Sequence, residues 1–166
     1  MSSDADIDET LPDVVKRFLR AGATLETIRL DANGKWTHEG LDFENPRIID
    51  LFNRSVNRTA GGTWVLEIGR YTYPIEVEDT AIFVESIDLT PPVTVRLSNG
   101  VTERLDLTTL HYRAPDRLTC VTGEHFVARF KRRPYHDLLA LLDERDGDLV
   151  VVVNGAAHPL TVSENA

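Results

Sequence analysis

The stretch Ala128 to Leu142, ARFKRRPYHDLLALL, gathers Arg129, Lys131, Arg132 and Arg133 immediately ahead of a helical pattern. A helix N-terminus exposes unpaired amide N–H groups and the positive end of the peptide dipole, so it favours anions and disfavours cations. Cations at that place become favourable once a phosphate or carboxylate sits among them, because guanidinium groups add bidentate hydrogen bonds to those the amides donate. Two readings of the cluster follow: solvated cations with water on the amides, or an anion-binding site. Tyr135, beside the group, offers a ring for a planar ligand to stack on while Arg132 or Arg133 holds a phosphate. Trp36 is a second candidate stacking surface.

Other chemistry has no comparable signal. The chain contains no phosphate-binding G-x-x-x-x-G-K-[ST] loop, no G-x-G-x-x-G following a strand, no G-x-S-x-G elbow and no H-E-x-x-H. The five histidines, His38, His111, His125, His136 and His158, are scattered without metal-ligand spacing. The single cysteine, Cys120, rules out an intramolecular disulfide and a cysteine-based zinc site, and it reads as a small buried hydrophobe. No pair of carboxylates is set apart by spacing for acid–base work. These residues point to binding rather than catalysis, with neither cofactor nor metal.

Charge narrows the partners. The formal net charge of the 166 residues is −9, and residues 1–13 hold Asp4, Asp6, Asp8, Glu9 and Asp13 with no cation. Such a chain lacks the basic face that duplex nucleic acid requires. From Arg117 to His136 the balance is +4, so the one cationic segment suits a small anionic ligand. No apolar run reaches the roughly 20 residues of a membrane span, and the first ten residues have no signal-peptide pattern. The expectation is a cytoplasmic protein.

Certain elements must position the cluster. Residues 1–10 read as a disordered acidic tail. Val14, Val15, Phe18 and Leu19 recur on one face of an amphipathic helix over 11–22. Tail and helix together suit a protein-interaction adaptor, the alternative to a ligand-binding module. Beyond them the chain repeats itself. Thr27–Gly40 aligns with Arg117–Phe130, and the helical RIIDLFNR (47–54) with DLLALLDE (137–144), both at a shift of 90 residues. At a shift of 85, Gly62–Val77 aligns with Gly147–Val162 and pairs Pro74 with Pro159. This predicts an internal duplication of a hairpin–helix–hairpin unit, with a first half over 23–88, and a connecting hairpin plus second half over 89–166. The class is α+β with mainly antiparallel sheet.

In the first copy a turn at Ala32-Asn33-Gly34 pairs Leu30 with Trp36 and Ile28 with His38. His38 therefore reads as a hydrogen-bonded core histidine. The first helix begins with Asn45 as cap and Pro46 at its first position, and buries Ile48, Ile49, Leu51 and Phe52. A connecting hairpin turns at Ser98-Asn99-Gly100, setting Leu97 against Val101 and Val93 against Leu105. Carried over to the second copy, the geometry pairs Cys120 with Phe126 and Leu118 with Ala128. It turns Arg129 and Lys131 away from the core and makes Arg133 the cap of the second helix.

With those residues in view, DANGKWTHEG, PRIIDLFNRSV, YPIEVED and the final VARFKRRPYHDLLALL…DGDLVVVVNGAAHPL resemble the bacterial family called domain of unknown function 1285, over about residues 27–160. The resemblance implies a duplicated α+β arrangement whose C-terminal half is superficially like a pleckstrin-homology fold. It also implies a ligand site at the interface of the halves for a nucleotide-like molecule, with a role in signalling. Trp36, His38 and Gly40 match the family's W-x-H-x-G stretch. Arg129, Arg133 and Pro134 match its arginine-containing strand and the corner into the helix.

Overall fold

The computed structural model describes residues 28–163, so the acidic tail and the helix expected over 11–22 lie outside the described residues. The chain divides into two compact units, the first ending at Ala81 and the second starting at Ile82. The boundary expected at 88/89 is thus corrected. Ile82–Asp88 forms a central strand of the second unit's large sheet, and cutting after it would strip that sheet of its middle.

In the first unit, β1 (Ile28–Leu30), β2 (Trp36–His38) and β3 (Leu41–Asp42) form a meander, and β1 is flanked on its other side by parallel β7 (Glu76–Val77). The β1–β2 register is Ile28↔His38 and Leu30↔Trp36, as the Ala32-Asn33-Gly34 turn dictates. Asp31 Oδ1 accepts from the N–H groups of Asn33 and Lys35, and Gly34 adopts φ +84°, a conformation that a residue without Cβ takes most easily. Helix α1 (Pro46–Ser55) begins as its sequence predicts, with Asn45 Oδ1 accepting from Arg47 N–H at 2.9 Å. Ile48 and Phe52 are its buried residues, while Ile49 and Leu51 are half-buried at its flanks. It packs on β5 (Trp64–Ile68), the middle strand of the sheet β4 (Val56–Arg58), β5, β6 (Tyr71–Pro74).

The second unit holds a seven-stranded sheet of order β10-β9-β8-β13-β12-β11-β17 and a three-stranded meander β14-β15-β16. The sheet comprises β8 (Ile82–Asp88), β9 (Thr94–Leu97), β10 (Thr102–Arg104), β11 (His111–Arg113), β12 (Arg117–Val121), β13 (Val127–Phe130) and β17 (Thr161–Ser163). The β9–β10 hairpin has the expected register: Leu97 N–H donates to Val101 O and Leu105 N–H to Val93 O. Helix α2 (Arg132–Leu139) leads from β13 to the meander of β14 (Leu142–Arg145), β15 (Asp148–Val153) and β16 (Ala156–Pro159). Antiparallel pairing predominates, but β1–β7, β8–β13 and β11–β17 are parallel. The class is α+β, mostly strand. Among the described residues no helix is long and apolar enough to cross a membrane.

Three expectations for the second unit are corrected. The β12–β13 register is Cys120↔Ala128 and Thr119↔Arg129, two residues from the pairing transferred from the first hairpin. The turn is Gly123-Glu124-His125, closed by Thr122 N–H donating to Phe126 O, and His125 (φ +66°) stands where Gly34 stands in the first hairpin. The shift that superposes the turns is therefore one residue longer than the alignment used, and each residue of shift moves the pairing by two. A two-residue slip preserves the faces, so Ala128 and Phe130 are buried as expected and Arg129 lies on the other side. Helix α2 ends at Leu139, so DLLALLDE is three residues of helix, a turn at Ala140-Leu141 and three residues of strand. Asp146 (φ +54°) and Gly147 (φ +83°) make the tight hairpin turn that draws Leu142–Arg145 into β14. The helix starts two residues before the expected cap, with Lys131 as N-cap.

Candidate functional site

The site is built where β13 becomes α2. Strand alternation buries Ala128 and Phe130 and turns Arg129 to the opposite face. Lys131 N–H still bonds to Val84 O on β8 at 3.1 Å, and Lys131 O already accepts from Tyr135 N–H at 2.9 Å, so this residue both closes the strand and opens the helix. Pro134 sits at the third helical position rather than the first, a place where its missing N–H also costs nothing. Pro134 and Leu138 are buried and hold α2 against β8 and β13. This anchoring moves the start back to Lys131.

Lys131 carries no acceptor, and no side chain caps the helix, in contrast to Asn45 on α1. The amides left over are those of Arg132 and Arg133, since Pro134 has none. Both arginine side chains are exposed, and among the described residues neither has an ion-pair partner. The other two cations are answered locally. Arg129 Nη2 lies 3.6 Å from Asp116 Oδ1, and Lys131 Nζ lies 2.9 Å from Glu85 Oε1 and 5.9 Å from the Phe83 ring centroid. The cluster therefore divides into two neutralised cations and two exposed ones flanking bare amides.

Tyr135 is half-buried, edge-on to His136 at 5.3 Å. Burial pushes its hydroxyl above the usual phenol range, and Tyr112 and Asp116 push it the same way. Tyr112 in turn donates its O–H to Pro115 O at 2.7 Å. Tyr112, on β11, and Asp116, in the β11–β12 turn, thus belong to the site although sequence reasoning missed them. Only the sheet register brings them beside α2.

The structure brings Arg129, Lys131, Arg132, Arg133 and Tyr135 together in the second unit. Trp36 and His38 belong to the first. Trp36 is corrected as a stacking surface: it is 2% exposed, lies edge-on to Phe52 at 5.4 Å, and donates its indole N–H to Asn53 Oδ1 at 2.7 Å. Its ring is part of the core. His38 is half-buried, with its ring 6.4 Å from that of Phe43. Cys120 is 2% exposed, and burial, with Glu103 and Asp106 adding to it, pushes its thiol up to about 12, which leaves it protonated and unreactive at neutral pH. The second unit also has an open groove of about 710 Å³ along Arg145–Val150, Ala157, Pro159, Leu160 and Val162, and none of the candidate residues lines it.

No protein-family model and no curated protein matches the chain. Two solved structures are similar to it. A DUF1285 family protein from Silicibacter pomeroyi DSS-3 shares 16% identity over 81% of this chain and 79% of its own, with a TM-score of 0.62. A DUF1285 family protein from Shewanella baltica OS155 shares 17% identity over 69% of this chain and 91% of its own, with a TM-score of 0.54. At such identities the common property is the arrangement of the backbone, and the chain has a DUF1285-like fold.

Proposed function

We propose that the protein is a non-enzymatic binding module of the cytoplasm, regulatory or signalling in role, that recognises a small anionic ligand at the start of α2. One observation carries this reading. The amides of Arg132 and Arg133 have no side-chain cap, and they are flanked by two exposed guanidinium groups without counter-ions among the described residues. In the free protein the arrangement is unfavourable, because like charges crowd the positive end of the helix dipole; a bound phosphate or carboxylate reverses the sign. Tyr135 borders the place and supplies a partly exposed ring.

The two units are also read as products of one duplication. Their turns place Gly34 and His125 alike, each unit follows its helix with a three-stranded meander, and Val65 pairs with Pro74 as Val150 pairs with Pro159. The first copy caps its helix with Asn45 and the second does not, so binding is assigned to the second copy.

A thermal-shift screen against nucleotides, phosphorylated metabolites and dicarboxylates tests the proposal when run on the wild type and on the Arg132→Ala/Arg133→Ala variant. A ligand at a hundred times its dissociation constant adds about 2.7 kcal/mol, a shift of several degrees for a domain of this size. The expected result is a shift in the wild type that the variant loses. A shift that survives in the variant removes the assignment.

A further inference from the structure

β17 is the outer strand of the seven-stranded sheet, and among the described residues no strand pairs with its far side. It runs parallel to β11 in the register His111↔Thr161, Tyr112↔Val162, Arg113↔Ser163, and Thr161 N–H donates to Leu110 O at 3.3 Å. In a parallel ladder the main-chain groups of successive residues point alternately to one neighbour and the other. Thr161 is directed at β11, so the N–H and C=O of Val162 face outward, at an open edge of the kind that accepts another strand.

The two faces beside that edge differ. Val162 is 49% exposed and Leu149 38% exposed, and with Leu160 they line the open groove on the Val162 side of the strand. Asp146 and Asp148 stand at the same groove and repel carboxylates from it, while Arg145, also there, is answered by Asp143 at 3.4 Å. Ser163 points the other way, and so does Arg113, its directly opposed partner on β11. Arg113 is exposed, has no ion-pair partner among the described residues, and stands opposite Arg117 on β12. A strand added at this edge therefore meets apolar side chains on one face and guanidinium groups on the other.

One stretch of the chain alternates to match. Residues 4–8 read Asp-Ala-Asp-Ile-Asp, acids and apolar residues in period two, and they lie outside the described residues. Three aspartates disfavour a strand standing alone. On the Arg113 side of the sheet the same aspartates are favoured, and Ala5 and Ile7 then fall on the groove face. The nineteen residues 9–27 join this stretch to β1, and a chain of that length reaches roughly 60 Å when extended, enough to cross a domain of this size. We infer that residues 4–8 dock on β17 as an added strand, with Asp4, Asp6 and Asp8 toward Arg113 and Ile7 against Leu149 and Val162. In that position the acidic segment keeps the open edge from pairing with other chains and covers the groove until it lifts off.

Hydrogen exchange at the Val162 amide, read by NMR on the 15N-labelled full chain, tests this. The proteins are the wild type, Ile7→Asp and Arg113→Glu, and the amides of β12 serve in each as the control for unfolding. In the wild type the Val162 N–H is bonded to the added strand and exchanges at least about tenfold more slowly than in either variant, while β12 exchanges alike in all three. Equal exchange at Val162 in all three proteins, whether fast or slow, overturns the inference. Protection that Arg113→Glu removes but Ile7→Asp leaves intact also overturns it, because the groove then takes no part. Wild-type protection that disappears on dilution overturns docking within one chain and assigns the edge to a second copy.

Discussion

Trp36 Nε1 donates to Asn53 Oδ1 at 2.7 Å, tying the second strand of the first hairpin to α1 across a cluster in which the rings of Trp36 and Phe43 both lie edge-on to Phe52. Trp36 is among the largest fully buried side chains, and Asn53 supplies the acceptor for its N–H. Asn53→Ala is expected to lower stability by about 1–3 kcal/mol, the penalty of a buried unsatisfied donor. Denaturant unfolding of the variant checks it. An unchanged midpoint would show that the indole finds another acceptor.

The equivalent turn positions Gly34 (φ +84°) and His125 (φ +66°) make a paired test. Gly34→Ala places a Cβ in left-handed backbone and is expected to cost about 1–2 kcal/mol. His125→Gly relieves the same strain and is expected to raise stability by up to about 1 kcal/mol, part of the gain being lost to the freer unfolded chain. If His125→Gly destabilises as much as Gly34→Ala, the imidazole contributes something the turn geometry does not.

Charge reversal at the start of α2 separates stability from binding. Arg132→Glu and Arg133→Glu place anions at the positive end of the dipole, and the double variant is expected to gain about 1 kcal/mol at low salt. The same variant should bind none of the anions that shift the wild type. Loss of stability in the double variant would mean that the arginines hold the fold together rather than a ligand.

Cys120 gives a pH dependence of known sign. Its thiol is held near 12 in the folded protein, above the ordinary cysteine value, so between about pH 9 and 12 the folded state keeps a proton that the unfolded state releases. Stability from this group is intact below about pH 9 and falls by about 1.4 kcal/mol per pH unit above it. Alkaline unfolding of the wild type against Cys120→Ala should show the steeper loss in the wild type. Parallel curves would refute the assignment.

The first hairpin and the Asn45-Pro46 helix start were legible because each rests on local chemistry: a three-residue turn with glycine at its left-handed place, and a cap followed by proline. The connecting hairpin at Ser98-Asn99-Gly100 was legible for the same reason. The second hairpin was not, because His125 takes the left-handed position while Gly123, two residues earlier, does not mark it. Pro134 was equally ambiguous, since the whole first turn of a helix tolerates proline; burial of Pro134 and Leu138 against the sheet decides the start. The Asp146-Gly147 turn signal was present in the sequence and locates β14, but the apolar run before it masked the change from helix to strand. Of the site, the cations and Tyr135 were visible as a cluster. Tyr112 and Asp116 join them only through pairing of β11 with β12, which no local pattern encodes.

The most direct test of the account is an amide-resolved NMR titration of the 15N-labelled protein with inorganic phosphate. The backbone amides of Arg132 and Arg133, which no side chain caps, should show the largest and saturable shifts, followed by that of Tyr135. Shifts absent at Arg132 and Arg133, or spread evenly over the surface cations without saturation, would contradict an anion site at the start of α2.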